Sequence, residues 1–278
     1  MKRQALNRVV AATLAAVGLL VAATAHADAT LDKIRQRGKV VVGVVLSGPP
    51  FGTIDPATGK HLGYNVALAE GVAKSLGVGL ETVQVQPSNR VQFLQQGKVD
   101  LLIANMQWTQ ERSEILSFVP TPFEEVGGAA IAPKASGIKR WEDLRGKPVC
   151  VSQGSNFTKP LADTYGAVIK AFRGQPESLL ALKGGNCVAA VHVSPTLREL
   201  VADNADWKDY AIVSPSDIIP SPSVIWVRRG EADIQAALDR IVQQWHRSGW
   251  LIEVEKQNGM TPTPLLFQLH DKFSKLPA

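Results

Sequence analysis

The chain has 278 residues, with 30 Lys and Arg against 25 Asp and Glu, and 45% of its residues are hydrophobic. This is the composition of a globular protein, which argues against disordered, collagen-like and coiled-coil chains. Two cysteines are too few for a disulfide-rich scaffold and lack the spacing of a zinc site. The sequence therefore predicts neither a metal nor another cofactor.

The N-terminus has the pattern of a secretory signal peptide. Lys2, Arg3 and Arg8 precede an apolar run over residues 9–23, and a small-x-small motif over residues 25–27 follows it. The run is shorter than the roughly 20 apolar residues of a membrane span. We expect cleavage after Ala27, a periplasmic mature chain and, because no cysteine follows the cleavage point, no lipid anchor.

If the chain is exported, the net charge of the mature protein and the expected state of its cysteines both differ from those of a cytoplasmic chain. Removing the three basic residues of segment 1–27 lowers the formal net charge from +5 to +2. A value so near zero gives no reason to expect a nucleic-acid partner. In an oxidising compartment Cys150 and Cys187, which both lie in apolar strand-like runs, most simply form one disulfide; two buried free thiols are the alternative.

The mature chain begins with alternating strand and helix patterns. Strands are predicted at residues 39–45, 80–85 and 99–106, and helices at residues 66–76 and 89–96. Asn65 has the side chain of an N-cap for the first of these helices, and Gly77 is suited to end it. This order predicts an α/β fold with a mostly parallel sheet that helices cover on both faces.

A second α/β series follows a change of pattern near residues 120–135. It has predicted strands at 147–151 and 188–193, helices at 156–165 and 176–183, and then a strand at 224–228 and a helix at 231–247. We expect two lobes after the signal peptide (1–27): lobe 1 over 28–132, lobe 2 over 133–221, and a return to lobe 1 over 222–278. The crossovers near residues 130–135 and 218–224 are the expected hinge, and the cleft between lobes is the expected binding site.

Five ordered segments resemble the type II periplasmic solute-binding proteins of polar amino-acid ABC transporters (bacterial extracellular solute-binding protein family 3). They are Gly43-Val44 with Pro49-Pro50-Phe51, GYNVALA at 63–69, LQQGKVD at 94–100, TQER at 109–112 and WEDLRGK at 141–147. The resemblance spans nearly all of residues 31–258. It implies a two-lobed Venus-flytrap, a monomer without enzymatic activity, that closes on a small carboxylate-bearing solute and delivers it to an inner-membrane permease.

The resemblance also implies which residues bind the anionic part of a ligand. Arg112 matches the arginine that binds the ligand α-carboxylate, a role suited to its two parallel N–H groups; a surface arginine is the alternative. Ser155 and Asn156 would bind the same carboxylate from lobe 2, unless they only cap a helix. Arg90 resembles a contact to a side-chain carboxylate, although a solvated helix residue explains it equally well.

Further ligand contacts follow from the same resemblance. Asn105 and Gln107 replace small residues and share one side of their strand, where they would donate to a polar ligand or cap a loop. Gln175 falls where relatives place His or Tyr against the ligand. His192 would touch the ligand or lie neutral in the core. Trp108 fits interlobe packing, with a stacking platform as the alternative.

Val193 is the main departure from the family. Amino-acid binders keep an Asp here that pairs with the ligand ammonium, whereas valine accepts no hydrogen bond, and Val45 likewise replaces a charged residue. An unpaired buried ammonium would cost several kcal/mol. We therefore predict a carboxylate ligand that lacks a conventional α-ammonium; the alternative is that Ser194 or His192 accepts the ammonium.

Two other functions stay open. Relatives with this fold include exported dehydratases that act on cyclic carboxylic acids, and elimination requires a general acid or base, for which His192 and Glu177 are the candidates. A ligand-gated partner of a membrane sensor would use the same closure as a transport protein.

Overall fold

A computed structural model of the chain describes residues 29–202 and 204–276. The predicted signal peptide and its cleavage point therefore lie outside the described residues. Within these ranges no helix combines the length and the apolar character that crossing a membrane requires.

Helices and strands alternate along most of the chain. The helices are α1 (Ala29–Arg37), α2 (Tyr64–Leu76), α3 (Arg90–Gln95), α4 (Gln110–Ile115), α5 (Thr158–Asp163), α6 (Gln175–Lys183), α7 (Ser194–Ala202), α8 (Ala232–Ser248), α9 (Trp250–Gln257) and α10 (Pro264–Ser274). The strands are β1 (Lys39–Val45), β2 (Thr53–Ile54), β3 (His61–Leu62), β4 (Gly79–Val85), β5 (Leu101–Ile103), β6 (Leu116–Phe118), β7 (Glu124–Pro133), β8 (Pro148–Ser152), β9 (Val168–Phe172), β10 (Ala189–Val193), β11 (Tyr210–Ile212), β12 (Ile218–Ser223) and β13 (Trp226–Arg228).

The first lobe is built on a five-stranded sheet in the order β4-β1-β5-β13-β6. β1 is a β-branched run that is parallel to both β4 and β5. β13 is antiparallel to its two neighbours and brings the chain back into this sheet from the second lobe. Helix α8 covers it with an apolar stripe that includes the buried side chains of Ile234, Leu238 and Val242.

The second lobe is built on a sheet in the order β11-β7-β10-β8-β9, with β12 also paired to β7. β8, β9 and β10 are parallel, as the β-α-β pattern predicts. β7 is antiparallel to β10, β11 and β12, so the mostly parallel arrangement expected from sequence is limited to the β-α-β part. Both sheets are mixed, and each packs against helices.

The first crossover differs from the expected lobe boundary. The sequence predicts that the first part of lobe 1 ends at residue 132, but β7 pairs with the second-lobe strand β10 from Gly128 onward. The apolar run at 128–132 belongs to this one long buried strand, and the chain crosses within it, because Val126 packs in the core of the first lobe and Gly128 already pairs with β10. The return lies between β12, which pairs with β7, and β13 in the first sheet.

Cys150 and Cys187 form a disulfide whose Cα atoms are 5.7 Å apart. Cys150 lies in β8 as expected, but Cys187 precedes β10 by two residues instead of lying in a strand. The disulfide joins β8 to the segment between α6 and β10, and β10 itself pairs with β8.

Candidate ligand-binding site

A cavity lies between the two lobes, and we call it the inner cavity. Its walls combine first-lobe residues with second-lobe residues: Val45, Ser47, Pro87, Arg90, Asn105 and Gln107 from the first, and Ser152, Ser155, Asn156, Phe157, Gln175, His192 and Val193 from the second. Every candidate ligand contact named from the sequence lines it except Arg112 and the two alternatives Ser194 and Trp108.

Sequence reasoning missed four of these wall residues: Ser47, Pro87, Ser152 and Phe157. Ser152 is the last residue of β8. Because ligands of α/β sheets bind beyond the carboxyl ends of the strands, its place at the end of a predicted strand could have marked it as a wall residue. The other three lie on connecting segments, whose approach to the cavity depends on how the lobes pack together.

Arg90 is the only formal charge on the cavity wall within the described residues. Its side chain is buried at 3% exposure, which rules out the solvated alternative. Nη1 donates to the carbonyl oxygens of Ala104, at 2.6 Å, and Asn105, at 3.0 Å. Asn105 has a φ of 49°, a left-handed conformation that asparagine tolerates. Nε of Arg90 is buried without a partner.

Asn105 is fixed by Asn65, whose role differs from the predicted N-cap. Helix α2 begins at Tyr64, and Asn65 lies inside it, fully buried. Nδ2 of Asn65 donates to Oδ1 of Asn105 at 2.6 Å. The short polar side chain at position 65 thus bonds across the fold to the cavity wall rather than to its own helix.

Gln107 lines the cavity with an amide that is 1% exposed. Its Nε2 has no hydrogen-bond partner, and the same is true of Nδ2 of Asn156 on the opposite wall. With Nε of Arg90, three wall residues therefore hold buried N–H groups without an acceptor. Buried donors of this kind are normally satisfied, so the cavity is suited to a ligand rich in acceptors.

The second-lobe loop before α5 is only partly available to a ligand. The backbone N–H of Ser155 donates to the carbonyl oxygen of Ser152 at 3.2 Å, and its Oγ accepts the N–H of Phe157 at 3.2 Å. The expected free N–H at Ser155 is thus used within the loop. Helix α5 starts only at Thr158, so this loop is a turn before the helix and not its first turn.

His192 is a neutral histidine that also reaches the cavity wall. Nε2 lies 2.8 Å from Oγ of Ser178, and Nδ1 lies 3.5 Å from Oγ of Ser152. Burial lowers the pKa of His192 to about 3, so the ring carries no charge at neutral pH. Glu177, the other acid–base candidate, does not line the cavity. The pair that elimination would need is therefore not assembled here.

No acidic side chain lines the inner cavity among the residues that the structure describes. Val193 packs against the hydrophobic cores of both lobes. Ser194 lies outside this cavity, and its Oγ accepts a hydrogen bond from Nε of Arg198 at 2.9 Å. Neither residue offers a carboxylate to a ligand ammonium.

Arg112 lies outside the inner cavity, contrary to its expected position. Nη1 donates to the carbonyl oxygen of Gln107 at 2.6 Å, and Nη2 donates to the carbonyl oxygen of Gly154 in the second lobe at 2.9 Å. Burial lowers the pKa of Arg112 to about 10, against a smaller opposing effect of Glu111, so it stays charged. Arg112 lies in the first turn of α4, as the alternative of a surface arginine has it, and both bonds engage its guanidinium.

Arg112 borders a larger space that we call the outer groove. This groove is lined by Trp108, Thr109, Glu111, Arg112, Gly154, Ser155, Asn156, Thr158, Lys159, Pro160, Ala162, Ile219, Ser221 and Pro222. The lobes are closely apposed beside it, since a Cβ at Gly154 would lie 2.6 Å from the carbonyl oxygen of Pro87. Gly154 has a φ of +75°, so both conformation and space favour glycine there.

The electrostatics of the site favour an anion. The pKa of Arg90 is lowered well below its ordinary value, first by burial and then by the charge of Arg112. The two guanidinium groups thus repel each other, and no acidic side chain among the described residues that line the cavity offsets their charge. A bound anion would do so. Across the described ranges no cluster of three or more His, Cys, Asp or Glu side chains has the arrangement of a metal site.

Comparison with known proteins identifies the family. Residues 40–260 match the model of bacterial extracellular solute-binding proteins, family 3. The chain is 31% identical over 240 residues to Escherichia coli O157:H7 YhdW, named among amino-acid ABC transporter-binding proteins (81% of this chain, 69% of the relative). It is 27% identical to the Escherichia coli K12 L-cystine-binding protein TcyJ over 252 residues (90% and 92%).

A solved structure gives the same result. The solute receptor for L-cysteine of Neisseria gonorrhoeae superposes with a TM-score of 0.76 at 26% identity, covering 82% of this chain and 92% of the receptor. The family and these relatives are solute-binding proteins and not enzymes. The chain is therefore a two-lobed member of the bacterial extracellular solute-binding proteins, family 3.

Proposed function

We propose that this protein is the periplasmic solute-binding component of an amino-acid-type ABC uptake system and delivers a carboxylate without a conventional α-ammonium to its permease. The uptake role is supported by YhdW, whose name places it in amino-acid ABC transport, and by TcyJ, which is named for binding L-cystine. The ligand class is supported by the inner cavity.

One observation carries the ligand class. Arg90 brings a buried positive charge to a cavity wall that holds no acidic side chain among the described residues. Burying an isolated charge costs free energy, which a bound carboxylate of opposite charge offsets. The same carboxylate can accept hydrogen bonds from the unpaired N–H groups of Arg90, Gln107 and Asn156. A ligand ammonium would find Val193 where a carboxylate is needed.

The test is a thermal-shift screen of the mature protein after unfolding and refolding, which strips co-purified solute. The panel pairs L-amino acids with the same acids without the amino group. A ligand at 100 times its Kd adds about 2.7 kcal/mol, or a rise of roughly 5 °C in Tm. We expect the amino-free acids to give the larger shifts. Larger shifts with the L-amino acids would contradict the proposed ligand class.

A matched pair of variants assigns the effect to the cavity. Arg90→Met removes the guanidinium but keeps a long buried side chain, and should abolish the shift. Arg240→Met removes an exposed arginine on α8 and should leave the shift unchanged. An equal response of both variants would show that the anion binds elsewhere.

Recovery of a permease, rather than a sensor kinase, with the ligand-bound protein would separate transport from signalling.

A further inference from the structure

Four consecutive backbone carbonyls, at residues 104–107 directly after β5, accept hydrogen bonds from side chains. Nη1 of Arg90 donates to the first two, and Nε1 of Trp226 donates to the third at 2.7 Å. Nη1 of Arg112 donates to the fourth. Two of these three donors are the guanidinium groups of the candidate site. The path of the segment therefore determines where those guanidinium groups lie.

The first two carbonyls converge on one nitrogen because of the backbone conformation of Asn105. In an extended chain, successive carbonyl groups point to opposite sides. At Asn105 the φ of 49° turns the chain, and the carbonyl oxygens of Ala104 and Asn105 lie 2.6 Å and 3.0 Å from Nη1 of Arg90. Glycine adopts such left-handed backbone freely, and asparagine tolerates it. The conformation of one wall residue thus sets the position of the buried charge.

The two carbonyls also determine which edge of Arg90 is left for a ligand. A guanidinium has two pairs of parallel N–H groups, an end pair from Nη1 and Nη2 and a side pair from Nε and Nη2. The bonds that Arg90 donates to described residues both come from Nη1, so the end pair is already engaged. Nε is buried without a partner. The side pair is therefore the one that can bind both oxygens of a carboxylate.

Asn65 holds Asn105 from outside the inner cavity. Its side chain is fully buried in α2, and Nδ2 donates to Oδ1 of Asn105 at 2.6 Å. Asn65 does not line the cavity, so it can act on a ligand there only through its neighbour. Stability alone gives no reason for an amide at this position, because Oδ1 of Asn65 is buried without a partner and such an atom costs free energy. The side-chain bond that the amide does make is directed at the cavity wall.

We propose that Asn65 and Asn105 are positioning residues for carboxylate binding. Together they fix the guanidinium of Arg90 through its Nη1, so that the edge formed by Nε and Nη2 receives the carboxylate side-on. Asn65 has this role without touching the solute. The inference rests on the proposed function, because that function places the carboxylate against Arg90.

The test titrates isotope-labelled mature protein with acetate and with acetamide at constant ionic strength, and follows the backbone and arginine Nε–H signals by NMR. The two probes have the same number of non-hydrogen atoms, but only acetate is an anion with two acceptor oxygens. Wild-type protein should bind acetate at least tenfold more tightly than acetamide. The Nε–H signal of Arg90, which Arg90→Met identifies by its loss, should move downfield as acetate binds.

Two substitutions at position 105 separate the backbone conformation from the side chain. Asn105→Ala and Asn105→Gly remove the same amide, but only glycine adopts a left-handed conformation freely. Asn105→Ala should therefore reduce the preference for acetate to threefold or less, whereas Asn105→Gly should keep at least half of the wild-type value. This pair tests the positioning role even where a substitution at the fully buried position 65 prevents folding.

Asn65→Leu removes the other amide at similar volume. It should reduce the preference to threefold or less in the wild-type background and change nothing in Asn105→Gly, which lacks the accepting side chain. Asn258→Leu is the matched control, because Nδ2 of Asn258 donates to the carbonyl oxygen of Val254 and lies outside the cavity. The ratio of two affinities measured on one protein does not depend on the folded fraction, so a loss of stability alone leaves it unchanged.

The outcomes separate this inference from the proposed function. The positioning role is overturned by equal preferences in Asn105→Ala and Asn105→Gly, by a wild-type preference in Asn65→Leu, or by an Nε–H signal that bound acetate leaves in place. Each of these results leaves carboxylate binding at Arg90 intact. Failure of wild-type protein to prefer acetate overturns the positioning role and the proposed ligand class together.

Discussion

Nη2 of Arg112 lies 2.9 Å from the carbonyl oxygen of Gly154, and this bond joins the two lobes. The same guanidinium is anchored in the first lobe by the carbonyl oxygen of Gln107. Hydrogen bonds from charged groups contribute about 1.5–3 kcal/mol. Arg112 is thus placed to stabilise the closed arrangement from outside the inner cavity.

Arg112→Met should shift the ligand-free protein toward an open form, because methionine cannot donate this interlobe bond. Ligand affinity should fall by about tenfold or more, since closure then costs more. Small-angle X-ray scattering of the ligand-free protein would show a larger radius of gyration than for wild type or Arg240→Met. An unchanged radius with unchanged affinity would mean that the bond contributes nothing to closure.

Val193→Asp should restore binding of an α-ammonium. The new carboxylate would lie on the second-lobe wall of the same cavity, where it accepts hydrogen bonds from an ammonium but repels a bare carboxylate. We expect the preference between L-phenylalanine and 3-phenylpropanoate to move at least tenfold toward the amino acid. Val193→Thr, of similar size and uncharged, is the control. A Val193→Asp protein that still prefers the amino-free acid would contradict the role given to position 193.

The stability of the protein should fall as pH rises through the neutral range, because two glutamates are buried beside each other. Burial raises the pKa of Glu124 to about 8, with the Ser223 hydroxyl opposing the rise. Burial and then the charge of Glu124 raise the pKa of Glu255 to about 9. Neither glutamate forms a salt bridge with a described residue. Tyr64, the third titratable group here, has its pKa raised by burial and by both carboxylates.

The sign follows from linkage. A carboxyl with a raised folded-state pKa contributes stability below its unfolded pKa, near 4.5, and loses it as pH rises through the folded value. The urea midpoint should therefore fall between pH 5 and pH 8.5, by the equivalent of at least about 1 kcal/mol. Glu124→Gln should flatten this dependence, whereas Glu142→Gln, on an exposed surface, should keep it. A flat profile in wild type would show that the glutamates ionise freely.

Loss of the disulfide should lower stability without weakening ligand binding. Cys150 and Cys187 are separated by 37 residues, and a closed loop of this length contributes about 4 kcal/mol in the chain-entropy model. Neither cysteine lines the inner cavity or the outer groove. The Cys150→Ala, Cys187→Ala double variant should show a lower urea midpoint and an unchanged Kd. A weaker Kd at a temperature where the variant is fully folded would show that the disulfide positions the cavity wall.

Much of the fold could be predicted from local pattern. β1 has the bounds that its β-branched run predicts, because a buried central strand is apolar along its whole length. The crossover at β7 could not be placed, since one continuous apolar run serves a strand in the second sheet and gives no local sign of the lobe boundary. Asn65 was mistaken for an N-cap because its partner, Asn105, lies 40 residues further along the chain.

The sequence predicts which residues form the candidate site better than it predicts the contacts they make. The resemblance to the family brought Arg90, Gln107 and His192 to one cavity, as the structure does. It could not indicate that Arg112 binds two backbone carbonyls, because those carbonyls come from Gln107 and from the opposite lobe. Side-chain direction in an interlobe cleft depends on closure, which a motif does not encode.

Whether the site excludes an α-ammonium is tested most directly by a pair of calorimetric titrations of refolded protein, one with L-phenylalanine and one with 3-phenylpropanoate. The two ligands differ only in the α-ammonium, so their Kd ratio reports whether the site accepts that group. We expect 3-phenylpropanoate to bind at least tenfold more tightly. Tighter binding of L-phenylalanine would contradict it and would mean that the ammonium has an acceptor other than the residue at position 193.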